Sequence, residues 1–168
     1  MMLRSFSHFE PEDDINDLRV LYSVARRGRY QIGETYEMGA FVDHLHNDDP
    51  QLLREEILES VRAEEFPEHP SRLDAFFAWK AIAAADQWLS EYEDPTTHCI
   101  YVICPVPESI LFEGDFGWLT LNAASLEEWE DRSFRYWSGE SRFAEAKWEV
   151  VVGGPIAVVA EVAQAAGR

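Results

Sequence analysis

A helix with recognisable ends lies in the first half of the chain, at residues 49–66. Asp49 can cap it, and Pro50 suits the first helical position because proline has no N–H to donate there. Apolar residues then recur at helical spacing, at Leu52, Leu53, Ile57, Leu58 and Val61. The helix has to end before the two prolines of FPEHP, which cannot continue it. This segment therefore predicts one amphipathic helix, with its acidic residues mostly on the opposite side.

Strand patterns lie on both sides of this helix. RVLYSVA favours a first strand over residues 19–25, and the glycine-containing stretch after it is typical of a loop. Further along, HCIYVICPV favours a strand and SILFEGDFGWLTL favours one or two more. KWEVVVGGPIAVVAEV favours a hairpin that turns at Gly153, Gly154 and Pro155.

Two further segments have helical character. Ser125 and Glu128 form a capping box before LEEWEDRSFRYW, and Gly139 lies where that helix would end. Residues 74–92 allow two interpretations: one long helix, or a short strand at AFFAW followed by a helix over about residues 80–92. Because strands and helices are mixed without strict alternation, we predict an α+β fold.

The length of 168 residues and a hydrophobic fraction of 46% fit one folded domain. We predict an acidic N-terminal arm over residues 1–18 and a single domain over residues 19–168. No apolar run approaches the roughly 20 residues of a membrane helix, and the first residues lack the apolar core of a secretory signal. We therefore expect a cytoplasmic protein with no membrane partner.

The charge of the chain is strongly negative, with 14 Lys and Arg against 32 Asp and Glu and a net charge of -18. Binding to the phosphates of DNA or RNA would have to overcome that field, so general nucleic-acid binding is disfavoured. An acidic protein that mimics nucleic acid remains an alternative.

Neither a disulfide nor a metal site is indicated. Cys99 and Cys104 are five positions apart, so on one strand they would point to opposite faces. His44 and His46 lie beside two aspartates, but no second group of metal ligands accompanies them, and the stretch is typical of a polar loop. We expect no metal.

The stretch ARRGRY, at residues 25–30, gathers three arginines in this acidic chain. A guanidinium offers a fork of donors that matches phosphate and carboxylate groups. The cluster is therefore either a solvated loop or a site for an anion.

Two more stretches combine groups that bind or react with ligands. PSR at residues 70–72 precedes Phe76, Phe77 and Trp79, and Glu149 begins a hydrophobic run in KWEVVVGGPI. Each also has a plain structural interpretation. PSR can be a turn with a helix cap, the aromatic residues can be core, and Glu149 can point outward from an edge strand.

Five stretches of the chain are informative when taken in order: LYSVARRG, ILESVRAEEFPEHPSR, FFAW, RYWSGE and WEVVVGGPI. In these stretches, over roughly residues 19–158, the chain resembles small ADP-ribosyltransferase-like domains of bacteria and phages. That superfamily has an Arg or His on the first strand, a Ser or aromatic residue on a central strand, and a Glu on a late strand. The resemblance implies a split antiparallel or mixed β core with flanking helices. It also implies NAD as the substrate.

The resemblance places Arg26 on the first strand of the R-S-E type, with Arg27 as the neighbouring possibility. Ser23 stands where the histidine type of this superfamily has its His. This difference favours the arginine type.

The other elements follow from the same resemblance. It implies Ser71 and Glu149 as catalytic residues, Arg72 as a second cofactor-binding arginine, and Phe77 or Trp79 as the aromatic residue that faces the nicotinamide. Arginine-modifying members have an acidic or amide residue two positions before the glutamate, where this chain has Lys147. The acceptor is then another amino acid, a nucleic acid, a small molecule or water.

The chemistry fits these residue types. NAD carries a diphosphate, which Arg26 and Arg72 would hold by charge-assisted hydrogen bonds. Cleavage of the nicotinamide bond develops an oxocarbenium-like sugar, which the Glu149 carboxylate would stabilise. The alternatives are a non-enzymatic acidic interaction protein and a relative of the fold that has lost catalysis.

Overall fold

The computed structural model describes residues 20–39, 49–120, 122–123 and 125–163. Within these ranges the strands are β1 Leu21–Arg26, β2 Thr35–Tyr36, β3 Phe76–Ala78, β4 His98–Pro105, β5 Ile110–Asp115, β6 Trp148–Gly153 and β7 Ile156–Glu161. The helices are α1 Pro50–Glu65, α2 Ile82–Tyr92 and α3 Leu126–Trp137, and a 3-10 helix spans Phe116–Leu119. The predicted arm at residues 1–18 and the polar loop with His44 and His46 lie outside the described residues.

The strands form two antiparallel sheets, in the orders β1-β4-β7-β2 and β3-β6-β5. Tyr22 and Trp79 join the sheets, because each backbone N–H donates to the other's carbonyl, at 2.9 and 2.8 Å. The strand order across both sheets is therefore β5-β6-β3-β1-β4-β7-β2. The predicted α+β class and the split β core are confirmed, and all of the described pairings are antiparallel.

The helix signals of the sequence correspond to real caps. The Asp49 carboxylate accepts a hydrogen bond from the Gln51 N–H at 2.8 Å, and Pro50 is the first residue of α1. Ser125 accepts from the Glu128 N–H at 3.1 Å, ahead of α3. Over residues 74–92 the second interpretation is correct, since a three-residue strand precedes α2.

The predicted hairpin around Gly153 is wrong. β6 pairs with β3 and β5, whereas β7 pairs with β4 and β2, so consecutive strands belong to different sheets. The turn itself is present, with Gly154 at φ 108. Turn residues indicate where a chain reverses, but the strands' partners depend on contacts distant in sequence.

The first strand and the following loop also differ from the prediction. β1 begins at Leu21 and ends at Arg26 rather than spanning residues 19–25. The expected loop contains the two-residue strand β2, which pairs with β7. Strands this short carry too few residues for an alternating pattern to be recognised.

The apolar core lies between the sheets and the helices. Leu58 of α1 and Trp137 of α3 pack against Val151 on one sheet, and the Trp137 indole N–H donates to the Leu58 carbonyl at 2.9 Å. Leu89 of α2 packs against Trp79 and the first sheet. Cys99 is buried and Cys104 is half-buried; both thiols are free, and burial raises the pKa of each.

Asp115, at the end of β5, ties together the chain that leads into β6. Its side chain is fully buried and accepts three backbone hydrogen bonds, from Gly117 at 2.8 Å, Arg142 at 2.7 Å and Lys147 at 2.9 Å. Oδ1 takes two of these donors and Oδ2 takes the third. The carboxylate therefore fixes the segment immediately before Glu149.

Asp115→Asn is expected to lower the free energy of unfolding by about 2–3 kcal/mol, the range for hydrogen bonds to a charged group. Either orientation of the amide places an NH₂ against a backbone N–H. Urea unfolding followed by circular dichroism measures the change. Asp131→Asn is the control, because Asp131 is exposed and pairs only with Arg135 at the surface. Equal losses in the two variants would contradict the role given to Asp115.

Candidate functional site

A cleft of about 560 Å³ opens at the end of β1, between β3, the start of α1 and the start of β4. We call it the arginine cleft and define it by Arg26, Arg29, Tyr30, Phe77 and His98, which line it. Asp49 and Glu93 are its acidic residues. Its volume lies within the range of small-ligand sites.

Arg26 and Arg29 are the exposed arginines among the described residues that line the cleft, and Arg26 is the one at the end of β1. Its guanidinium makes no hydrogen bond or ion pair with a described residue, although the chain as a whole is strongly acidic. Arg27, the next residue, has a different role: it binds Glu161 at 3.3 Å and the Pro95 carbonyl at 3.1 Å. Of the two arginines that the sequence left open, Arg26 is the one that lines the cleft.

Tyr30 forms part of the cleft wall and is held by other aromatic rings. Its ring centroid lies 4.8 Å from that of Tyr36 and 5.2 Å from that of Tyr101. Burial raises the pKa of Tyr30, while the neighbouring Arg29 opposes that rise. Tyr30 is therefore a neutral, well-positioned ring next to a cation.

His98 completes the polar side of the cleft. It is the cross-strand partner of Arg26, and its ring nitrogens lie 3.3 Å from Glu93 Oε2 and 2.9 Å from Thr97 Oγ1. Sequence analysis missed this residue because His98 is the first residue of an apolar strand. The pairing of β1 with β4 is what brings it to Arg26.

A second group of polar and charged residues, which includes the candidates Arg72 and Glu149, is buried beneath the helices. We call it the buried ion cluster: Arg54, Glu55, Arg72, Tyr136 and Glu149. Each is at most 4% exposed. Two arginines face two glutamates, so their formal charges cancel.

Arg72 is at the centre of this cluster. Its Nε donates to Glu55 Oε2 at 2.8 Å, and its Nη1 donates to the Tyr136 hydroxyl at 2.7 Å and to Glu149 Oε1. The Tyr136 hydroxyl donates in turn to Glu149 Oε1 at 2.8 Å. Arg54 binds the other oxygen of Glu55 at 2.8 Å. Arg72 thus links α1, α3 and β6 through side chains alone.

The cluster controls the protonation of its members. Burial alone would lower the pKa of Arg72, but Glu149 and Glu55 raise it well above its ordinary value. Burial raises the pKa of Glu55, yet Arg72 and Arg54 outweigh it and the pKa falls below 4.5. Burial is the main cause of the strongly raised pKa of Tyr136. These groups therefore stay as charged arginine, charged glutamate and neutral tyrosine at neutral pH.

The structure brings some of the predicted residues together and separates others. Arg72 and Glu149 are in direct contact. Phe77 is next to both sites, because it is one of the residues that line the cleft and its ring lies 4.6 Å from Arg72 Cζ. Ser71 is elsewhere, donating to Glu59 Oε2 at 2.9 Å. Trp79 lines a different groove. Neither Ser71 nor Glu149 lines the arginine cleft.

A family model described as "Protein of unknown function (DUF2441)" matches residues 21–164. The chain belongs to this family. The match runs from the first residue of β1 to beyond the end of β7, so the DUF2441 region includes both the arginine cleft and the buried ion cluster. A search of curated proteins finds no match.

The described part of this DUF2441 protein contains no helix long and apolar enough to cross a membrane. Its described histidines, cysteines and acids likewise form no group of three that could hold a metal ion.

Glu55→Gln is expected to lower the free energy of unfolding at pH 7 by about 3 kcal/mol, because it leaves part of the charge of buried Arg72 uncompensated. The folded-state pKa of Glu55 is depressed, so its contribution is present above the unfolded value of 4.5 and is lost as pH falls through the folded-state pKa. The difference between wild type and variant should therefore narrow from pH 7 to pH 3, as measured by urea unfolding.

The control is Glu161→Gln, which removes the exposed partner of Arg27 and should cost less than about 1 kcal/mol. A difference between wild type and Glu55→Gln that stays constant down to pH 3 would show that the Glu55 charge contributes nothing.

Proposed function

We propose that this domain binds NAD in the arginine cleft and, as an ADP-ribosyltransferase-like protein, cleaves the bond between nicotinamide and ribose. The observation that supports this function is the order of three neighbouring strands. β1 carries Arg26, β3 carries Phe77 and β6 carries Glu149, and they are adjacent in that order. Two of the three elements implied by the resemblance, Arg26 and Glu149, are thus on strands that flank the strand of the aromatic candidate Phe77. The middle element, Ser71, lies apart from them and donates a hydrogen bond to Glu59.

The diphosphate of NAD binds at Arg26 and Arg29. A dinucleotide phosphate approaching a chain of charge -18 needs local cations, and Arg26 has no competing partner among the described residues. His98 supplies a further polar contact beside Arg26. Arg72, in contrast, is committed to Glu55 and Glu149, so we assign it to holding the acid rather than the phosphate.

The nicotinamide ring lies against Phe77. Phe77 is half-buried and is one of the residues that line the cleft, and its ring contacts the Arg72 guanidinium. Phe77 therefore lies between the ligand and Glu149. Trp79, the other aromatic candidate, does not contact the nicotinamide in this proposal, because it lines a separate groove beside α2.

Cleavage requires Glu149 to become accessible. Glu149 is 2% exposed, so Phe77 and Arg72 have to shift when the ligand binds. The nicotinamide then leaves with the electron pair of the glycosidic bond, and the Glu149 carboxylate stabilises the positive charge on the ribose. The acceptor attacks the same carbon and loses its proton. Water as acceptor gives NAD hydrolysis, and a protein or small molecule gives ADP-ribosyl transfer.

The burial of Glu149 favours a second candidate function, in which this DUF2441 protein binds the dinucleotide without cleaving it. Arg72 and Tyr136 both donate to the same Glu149 oxygen, which leaves this carboxylate in a purely structural role. In that case the arginine cleft is a binding site only.

Arg26→Gln should weaken NAD binding roughly tenfold or more, the effect of losing one charge-assisted hydrogen bond. Arg27→Gln is the matched control: it removes the same charge from the next position, but Arg27 binds Glu161 outside the cleft. Isothermal titration calorimetry measures both dissociation constants. Equal weakening in the two variants would exclude the cleft as the site, and an absence of binding to wild type would overturn the proposed function.

Nicotinamide release, followed by chromatography, separates the enzyme from the binding module. For an enzyme, Glu149→Gln should abolish release while NAD binding stays within about threefold of wild type, because the shape of the side chain is kept and its charge is lost. Unfolding curves of the Glu149→Gln variant test whether the domain remains folded. Full activity of Glu149→Gln would mean that another group is the acid, and binding without release by wild type would establish the binding module.

A further inference from the structure

A second groove, of about 490 Å³, lies between α2, the end of β3 and the start of β6. We call it the tryptophan groove and define it by Trp79, Trp88, Tyr92 and Trp148. None of the residues that line it also lines the arginine cleft. The two sites are therefore distinct, and the function proposed above makes no use of this one.

Aromatic rings form the walls of the groove. The Trp88 ring lies 5.0 Å from that of Trp79 and 4.3 Å from that of Tyr92, and Phe116 supports it from behind with an edge contact at 4.7 Å. Trp148 is 38% exposed, and its indole stacks on no described ring. The groove is thus lined by a supported set of aromatic rings and by an unengaged indole, a lining suited to a flat ring.

The indole N–H groups of the groove are also unengaged. Elsewhere in the fold, Trp118 donates to the Glu140 carbonyl at 2.8 Å and Trp137 to the Leu58 carbonyl at 2.9 Å. The N–H groups of Trp79, Trp88 and Trp148 donate to no described group. Buried tryptophans normally find an acceptor, so the nearly buried Trp79 in particular has a donor available for a ligand that brings acceptors.

Trp79 makes this point most clearly. It is only 6% exposed, yet its N–H has no described acceptor. Within the described residues, the only inaccessible side-chain nitrogen or oxygen that lacks hydrogen-bond geometry is Glu113 Oε2, and this atom is ion-paired with Lys80. The Trp79 nitrogen is therefore reachable from solvent, and the groove is the cavity that its residue lines.

The charges around the groove are already paired. Lys80 lies 2.7 Å from Glu113 Oε2, and Lys147 lies 3.1 Å from Glu91 Oε2. The Lys147 ammonium also lies 5.4 Å from the centre of the Tyr92 ring. Since both lysines and both glutamates are neutralised within the chain, an uncharged ligand disturbs none of them.

We propose that the tryptophan groove binds a flat, uncharged nitrogen heterocycle with carbonyl or ring-nitrogen acceptors, which is the chemistry of a nucleobase. The heterocycle stacks on an indole face and accepts from the open indole N–H groups. Because the recognised part is the uncharged ring, the net charge of the protein does not oppose binding. The site is independent of NAD cleavage.

The probes are nucleosides, which carry the heterocyclic base but no phosphate. They therefore present the group that the tryptophan groove would bind and lack the anion that the arginine cleft would bind. We expect at least one of adenosine, guanosine, cytidine and uridine to bind by isothermal titration calorimetry and to quench tryptophan emission. Trp148→Ala should weaken that binding about tenfold, the effect of losing one stacking ring. Trp148→Phe keeps an aromatic ring but loses the N–H donor, so its affinity for the nucleoside should lie between those of wild type and Trp148→Ala.

Trp129→Ala is the matched control, since Trp129 lies on α3 under Arg132, away from the groove. Arg26→Gln should also leave nucleoside binding unchanged, which separates this test from that of the NAD site. If Trp148→Ala fails to fold, Trp148→Phe and Trp88→Phe give the answer. The proposal is overturned if no nucleoside binds at millimolar concentration, if the folded groove variants bind as wild type does, or if the groove prefers tetramethylammonium to every nucleoside.

Discussion

The contact of Arg72 with Glu55 and Glu149 is the interaction on which the arrangement of this domain depends. Two buried charges of each sign are costly to remove from water, and their mutual attraction offsets that cost only when every donor has an acceptor. Here the Tyr136 hydroxyl and the Leu119 carbonyl add acceptors for Arg72 and Arg54 to those of the two glutamates. α1, α3 and β6 therefore have one relative placement in which the cluster is complete, and other placements leave a charge unpaired.

The cluster also connects the interior to the arginine cleft. Phe77 is a lining residue of the cleft and its ring contacts the Arg72 guanidinium, so a ligand that displaces this ring acts on Arg72 directly. The same contact that stabilises the fold therefore sets the energy needed to expose Glu149. In the proposed NAD cleavage, binding energy from the dinucleotide would open this ion pair, whereas a protein that only binds the dinucleotide would leave the pair closed.

Local signals in the sequence were sufficient for α1, whose ends are set by Asp49 and by prolines close in the chain. The α+β class followed from the order of such segments. Long-range contacts were not predictable. Nothing near Glu149 indicates that Arg72 and Tyr136 will bind it, and nothing near Gly154 indicates that the strands on either side belong to different sheets. The resemblance suggested the strands that carry the candidate residues, but the side chain that faces a cleft depends on burial and pairing across the whole fold.

The three backbone hydrogen bonds to Asp115 fix residues 142 and 147 at one carboxylate. The four residues between them form a loop closed at both ends, and exchanging or lengthening them costs little free energy because loop closure depends only weakly on length. Trp148 and Glu149, the first two residues of β6, follow directly after the bond from Lys147 to Asp115. The surface loop can therefore change in sequence and length while the start of β6 keeps its position beside the tryptophan groove.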